Sequence, residues 1–255
     1  MGTVFSFDVR GGSPARVAAA LREAVAWLHH VDAVFSTYRP DSQVSRLAAG
    51  DLPLSACSPE VGEVHALCER ARRRTGGFFD AGYAGGFDPT GLVKGWAVER
   101  AALLVDAAGA EAVCVNGGGD VQTYGGPWRV GVSHPLRRGA LAAVVAAAAP
   151  GDASPAGRGL AVATSGPAER GAHVLDPRTG RPPRTDLASL TVTAASLTDA
   201  DVAATAGYAM GAGARAWLTA QPDVEAFAVP VSAPAWRTPG FPDAGSGAAI
   251  ARPHL

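Results

Sequence analysis

The sequence is poor in cysteine and in charged residues, and it has no long apolar run. Only Cys57, Cys68 and Cys114 are cysteines, and no two of them form a Cys-x-x-Cys pair. This disfavours a disulfide scaffold and a structural zinc site. The longest apolar run, residues 141–149, is far shorter than the ~18–20 residues that a membrane-spanning helix needs. No basic and apolar leader follows Met1, so the sequence predicts neither a signal peptide nor a membrane anchor, and we expect a cytoplasmic protein.

An excess of positive charge is also missing. The chain of 255 residues carries 22 Lys and Arg against 23 Asp and Glu, which gives a formal net charge of −1. This balance excludes a generally basic nucleic-acid binder. The length suffices for a substantial core, and no clear linker interrupts it. We therefore expect one domain over residues 1–255, with an irregular tail over residues 235–255, where Pro, Gly and Ala dominate.

The spacing of apolar residues predicts the main elements. Helical spacing follows Ser13 and Pro14, a typical N-cap and first helical position, and it continues to about Phe35. Further helices are predicted at residues 59–74, 93–108 and 198–210. Strands are predicted at residues 3–9, 112–115, 128–133, 141–147, 160–164, 190–194 and 225–229. Since strands and helices do not alternate regularly, the pattern favours an α+β fold over a doubly wound sheet.

Two glycine-containing segments point to a ligand. In the first, Asp88 precedes Gly91 and Lys94 at the start of a predicted helix, where backbone N–H groups and a lysine favour an anion such as phosphate. The alternative is an ordinary Asp-Pro turn before an amphipathic helix. In the second, residues 117–119 are all glycine and precede Asp120, so the backbone could approach a bulky ligand. A tight turn explains this second segment equally well.

Two further segments carry chemical groups. Thr164 and Ser165 precede His173, a residue type that can take a proton from a hydroxyl nucleophile, although a structural hydrogen-bonding role is the commoner one. Asp201 and Thr205 are four residues apart on a predicted helix, so their oxygens lie on one face and suit Mg²⁺. The alternative here is a helix start at which acidic residues complement the helix dipole.

Taken together, the order of these segments resembles the ApbE family of FAD:protein FMN transferases. The resemblance runs from residue 1 to about residue 211, and its motifs are residues 36–42, 75–80, 88–95, 116–120, 164–166, 173–180 and 201–205. It implies a single α+β domain with a mixed or antiparallel sheet and packed helices. It also implies that FAD and Mg²⁺ bind together, and that FMN is transferred to a Thr or Ser hydroxyl in a loop of an acceptor protein, with release of AMP.

The resemblance assigns roles to individual residues. It implies Mg²⁺ ligands at the Gly91 carbonyl, Asp201 and Thr205, and catalytic roles for His173, as the base on the acceptor hydroxyl, and for Lys94. It implies FAD contacts at Met1, Tyr38, Phe78, Phe79, Asp80, Asp88, Lys94, Thr164, Ser165 and Leu175.

Two alternative functions use much of the same machinery. A Mg²⁺-dependent FAD pyrophosphatase would use water in place of the acceptor hydroxyl and give FMN and AMP. A non-enzymatic FAD-binding protein would need neither the base nor the metal ligands. The chain also departs from the family pattern, because the segment between Asp80 and Asp88 is much shorter than in typical members.

Overall fold

The computed structural model describes residues 2–147, 159–167 and 174–244. Its strands are β1 Phe5–Arg10, β2 Ala112–Gly117, β3 Asp120–Gly125, β4 Trp128–Ser133, β5 Leu141–Ala147, β6 Gly159–Ser165, β7 Leu187–Ala194, β8 Val224–Pro230 and β9 Trp236–Arg237. In the described residues seven of them form one sheet, in the order β1-β2-β3-β6-β7-β8-β9, and β4 and β5 form a separate hairpin. Every neighbouring pair is antiparallel, which confirms the α+β expectation.

The helices are close to those that the apolar spacing predicts. They are α1 Pro14–Phe35, α2 Gln43–Ala49, α3 Pro59–Arg74, α4 Thr90–Ala107, α5 Leu197–Met210 and α6 Ala214–Thr219. The bounds of α1 and α3 are as predicted, whereas α4 begins at Thr90, three residues before the predicted start at residue 93. The sequence does not predict the short helices α2 and α6 or the strands β3 and β9. Among the described residues no helix is long and apolar enough to cross a membrane, and the cytoplasmic location stays a prediction.

The two faces of the large sheet have different coverings. Helices α1, α4 and α5 pack on one face, and their apolar residues share the main core with the inward side chains of the strands, among them Val113, Val115 and Leu190. The opposite face carries a smaller apolar cluster, in which Val132 and Val145 of the hairpin pack against the sheet. A two-stranded hairpin is only marginally stable alone, so this second cluster holds it in place.

The segment predicted to be an irregular tail contributes to the hairpin side. Strand β9 pairs with β8, and Phe241 is buried in the smaller cluster. Residues 242–244 run beside β5, where Ala244 N–H donates to the Val144 carbonyl at 2.8 Å. The tail is therefore not wholly irregular. Strand Trp236–Arg237 extends the large sheet, with Trp236 packed against the main core, and Phe241 covers the helix-free face.

A tight turn joins β2 to β3 and fixes where β3 begins. Gly117 pairs directly with Asp120, which leaves a two-residue loop of Gly118 and Gly119 with φ values of +61° and +92°. Loops of this kind need positive φ at both central positions, which glycine adopts at little cost. The glycine run thus serves the turn, and it places Asp120 at one end of the sheet.

Helices α4 and α5 are in close contact at Gly95. A methyl group on Gly95 would lie 2.6 Å from the Leu197 carbonyl oxygen and 2.9 Å from Asp201 Cβ, closer than atoms can pack. The absent side chain also allows the Gly95 N–H to donate to Asp201 Oδ2 at 3.1 Å. Glycine at this position therefore sets the distance between the two helices.

We predict that Gly95→Ala lowers the free energy of unfolding by about 1–3 kcal/mol, because the added methyl separates α4 from α5. Gly62→Ala is the matched control, since Gly62 also lies within a helix and a methyl there meets no atom within 4 Å. The control should leave stability unchanged or raise it by up to about 1 kcal/mol. Urea unfolding followed by circular dichroism measures both variants, and equal midpoints for the two would contradict the close-packing argument.

Candidate active site

A lysine lies between two buried carboxylates at one end of the sheet. Lys94 Nζ is 2.5 Å from Asp120 Oδ2 and 3.8 Å from Asp201 Oδ1. The side chains of Asp120 and Asp201 are only 2% and 6% exposed, and that of Lys94 is 18% exposed. Charges at this depth are stable only when they are paired and hydrogen-bonded. The first two turns of α4 and of α5 and the start of β3 thus contribute to a single ionic cluster.

Backbone N–H groups orient both carboxylates. Thr164 N–H donates to Asp120 Oδ1 at 3.0 Å, and Gly95 N–H donates to Asp201 Oδ2 at 3.1 Å. In each carboxylate the other oxygen is the one nearer to Lys94 Nζ. Each carboxylate is therefore fixed by the main chain on one side and by the lysine on the other.

Two hydroxyl groups and Gly91 adjoin this cluster. Ser165 Oγ and Thr205 Oγ1 are 3.5 Å apart, and a methyl on Gly91 would lie 3.5 Å from Thr205 Cγ2. Gly91, Thr205 and Asp201 thus lie on the facing sides of α4 and α5. Within the described ranges no group of three or more His, Cys, Asp and Glu side chains could hold a metal. A cation here would need the hard oxygens of Asp201, Thr205 and a main-chain carbonyl, a donor set that suits Mg²⁺.

The cluster opens into a cavity of about 1170 Å³ on the helix-free face of the sheet. Lys94, Asp120 and Thr164 line the end nearest the cluster, and the β4–β5 hairpin forms the opposite wall. Cys114 also lines the cavity, and burial raises the pKa of its thiol to about 11, so the thiol is protonated at neutral pH. The size of the cavity suits a substantial ligand or a segment of polypeptide.

Known proteins share both this sequence pattern and this fold. The sequence model of the ApbE family matches residues 1–87 and 84–228. The chain belongs to the ApbE family. It is 30% identical over 227 residues to an FAD:protein FMN transferase of Rhodobacter capsulatus, an alignment that covers 80% of this chain but 39% of that protein. The chain therefore spans about two fifths of the length of this relative.

Solved structures of the ApbE family have the same fold. The flavin transferase ApbE of Vibrio cholerae superimposes with a TM-score of 0.75 at 22% identity, over 94% of this chain and 95% of that one. The flavinyl transferase ApbE of Pseudomonas stutzeri, in its apo form, gives a TM-score of 0.76 at 24% identity, over 94% and 92% of the two chains. The ApbE fold thus accounts for almost the whole chain.

The predicted FAD contacts between residues 78 and 88 lie on a compact loop before α4. Phe79 is buried, its N–H donates to Thr75 Oγ1 at 3.0 Å, and its ring adjoins Gly91. The carboxylates of Asp80 and Asp88 each accept a hydrogen bond from an N–H two residues on. Asp88 N–H donates to the Ala81 carbonyl at 2.7 Å, which closes the loop. The short segment therefore still brings both motifs to the start of α4.

The other predicted FAD contacts have varied surroundings. The Arg178 guanidinium lies 3.7 Å from the centre of the Phe78 ring, so the Arg178 side chain covers one face of a ring that is expected to contact FAD. Hydrogen bonds from Arg178 also hold the pKa of Asp176 below its usual range. Leu175, beside Asp176, is half-buried, and Tyr38 is 96% exposed. Met1 and His173 lie outside the described residues.

Sequence reasoning did not include Asp120 among the site residues. Its position directly after a glycine run was noted, but the run is equally explained by the turn, and Lys94 is distant in the sequence. The role of Glu99 was also missed. Its Oε2 accepts hydrogen bonds from Ser196 Oγ at 2.8 Å and from Thr198 N–H at 2.9 Å, so it fixes the start of α5 on α4. The roles of Asp120 and Glu99 depend on contacts with residues that are distant in the sequence, which local patterns do not predict.

We predict that Lys94→Met lowers the free energy of unfolding by about 3 kcal/mol, because it leaves Asp120 as a buried charge without its cation. The double variant Lys94→Met/Asp120→Asn should be less destabilised than this single variant. An asparagine oxygen still accepts from Thr164 N–H but carries no charge. Urea titrations of the wild type, both single variants and the double variant complete the cycle, and additive costs would show that the ion pair has no energetic coupling.

Proposed function

We propose that this chain transfers the FMN part of FAD to a Ser or Thr hydroxyl of an acceptor protein and releases AMP. The observation that carries the proposal is the Lys94 cluster in an ApbE-family chain. A lysine aligned by Asp120 at the start of α4 faces a cavity, and hydroxyl and carboxylate oxygens lie behind it. Phosphoryl transfer depends chiefly on positioning and on neutralising charge, which these groups are suited to do.

The proposed reaction is a displacement at phosphorus. The acceptor hydroxyl oxygen forms a bond to the FMN phosphorus, the bond from that phosphorus to the bridging oxygen breaks, and the bridging oxygen leaves with AMP. His173 would take the hydroxyl proton, as the family resemblance implies. Lys94 Nζ would offset the negative charge on the phosphates, and Asp120 keeps the ammonium in place.

A magnesium ion fits the proposed site. Asp201 and Thr205 on α5 and the Gly91 carbonyl on α4 would hold it, and Gly95 N–H fixes the orientation of the Asp201 carboxylate. When bound, Mg²⁺ would neutralise charge on the pyrophosphate. Without a cation held by these oxygens, the negative phosphates would face the Asp201 carboxylate directly, and Lys94 alone would have to balance both.

The transferase is tested by incubating the chain with FAD and MgCl₂, with and without a candidate acceptor that has an exposed Ser or Thr loop. AMP is followed by chromatography and the acceptor by intact mass. We expect the acceptor to gain the mass of one FMN residue together with an equal amount of AMP. AMP and free FMN without an adduct would show a pyrophosphatase instead, and bound FAD without turnover would show a binding protein.

We further predict that Thr205→Val raises the MgCl₂ concentration needed for half-maximal AMP release by at least about tenfold, since even indirect partners of a metal commonly contribute that factor. Thr219→Val is the control, because Thr219 is an exposed threonine at the end of α6. The control should match the wild type. If Thr205→Val keeps the wild-type MgCl₂ dependence, Thr205 is not a ligand.

A further inference from the structure

The hairpin that walls the cavity has one edge paired and one edge open. On the outer edge of β5, Ala146 N–H donates to the Pro242 carbonyl at 3.2 Å, and Ala244 N–H donates to the Val144 carbonyl at 2.8 Å. Successive residues of an antiparallel strand direct their N–H and C=O groups to opposite sides. The N–H and C=O groups of Val144 and Ala146 therefore point away from β4, toward residues 242–244.

The register then decides which groups of β4 face outward. Gly131 lies opposite Val144, and Arg129 lies opposite Ala146. In a pair of this kind both residues direct N–H and C=O away from each other, so Gly131 and Arg129 present theirs to the open edge of β4. Within the described residues no hydrogen bond engages either of these two backbone N–H groups.

This open edge borders the candidate active-site cavity. Five consecutive residues of β4, 129–133, line the cavity. Successive side chains of a strand point to opposite faces, so a cavity over one face would contact every second residue. This cavity contacts each of the five residues and therefore lies along the edge of the strand. Lys94, Asp120 and Thr164 line the same cavity at its other end. An extended chain on β4 would thus lie in the same cavity as the Lys94 cluster.

Most of the residues that line this cavity are not among those expected to contact FAD. Of the described ones, only Lys94 and Thr164 line it, whereas Phe78, Asp80 and Asp88 belong to the loop before α4. The two regions meet at Lys94. A reaction with two substrates needs such an arrangement, with one substrate approaching from each side.

The charge of the cavity wall favours an acidic occupant. Arg129 and Arg138 are exposed residues that line the cavity, and neither forms an ion pair within the described ranges. The carboxylate of Asp8, which also lines the cavity, is already bonded to Arg10. The hairpin side of the cavity therefore has a surplus of positive charge, which attracts carboxylates.

We infer that the open edge of β4 binds the acceptor as an added antiparallel or parallel strand, with carboxylates of the acceptor near Arg129 and Arg138 and its reactive hydroxyl toward Lys94. The inference rests on the proposed transfer reaction. Strand addition uses main-chain hydrogen bonds for affinity and leaves side chains to give specificity. One short extended segment is therefore sufficient for recognition.

The test removes a single backbone donor. Gly131→Pro deletes the N–H that faces the open edge and costs no hydrogen bond to β5, a position at which an edge strand tolerates proline. Gly131→Ala keeps the N–H and places similar bulk against the flexible Leu141 side chain. The substrates are FAD, MgCl₂ and a seven-residue peptide library with a central Thr and randomised flanks.

We expect Gly131→Pro to lower the rate of flavin labelling of the library about tenfold, the factor expected for one lost hydrogen bond, with an unchanged KM for FAD. Gly131→Ala, which keeps this N–H, should label about tenfold faster than Gly131→Pro. Equal rates for the two variants would overturn the inference, and so would an increase confined to the KM for FAD, which would assign the cavity to FAD.

Arg138→Glu is a second variant that does not affect the hairpin pairing, because Arg138 is exposed in the turn. Peptides labelled by the wild type should be enriched in Asp and Glu, and this enrichment should disappear in the variant. Labelling that ignores peptide charge would contradict the inference. A wild type that labels a folded acceptor but no peptide would also overturn it, whereas AMP release without any adduct would refute the transferase itself.

Discussion

A lysine ammonium between two buried carboxylates stays favourable only while the segments that carry the three charges remain together. Lys94, Asp120 and Asp201 come from α4, the start of β3 and α5, and separating any of them would leave a charge buried without its partner. The surrounding structure meets this requirement. Gly95 allows the two helices to touch, and the two-residue turn before β3 sets Asp120 at the end of the sheet.

Further contacts hold α5 in register with this cluster. Glu99 binds the hydroxyl and N–H groups at the start of α5, and the buried Gln122 accepts a hydrogen bond from Leu197 N–H at 2.9 Å. These contacts join α4, β3 and α5 through polar groups that are satisfied inside the core. The position of Asp201 is therefore determined by side chains that themselves lie outside the proposed metal site.

The two faces of the sheet provide different parts of the proposed active site. The helix-packed face carries the loop before α4 and the proposed Mg²⁺ ligands, whereas the hairpin encloses a cavity over the opposite face. Lys94 reaches both regions because it lies near the start of α4, beside the end of the sheet. An architecture of two layers around one sheet thus provides separate approaches to one charged centre.

The sequence alone determined the elements whose evidence is local. Periodic apolar residues after Ser13 and Pro14 define α1, and the ordered motifs identify the ApbE family. The sequence does not predict strand β3, because its buried positions include the polar residues Gln122 and Thr123, which interrupt the apolar pattern. Only the tertiary structure decided that Asp120 pairs with Lys94, that Arg178 covers Phe78, and that β4 presents an open edge to the cavity. These features depend on contacts between segments that are distant in the sequence, and the local spacing of residues does not predict such contacts.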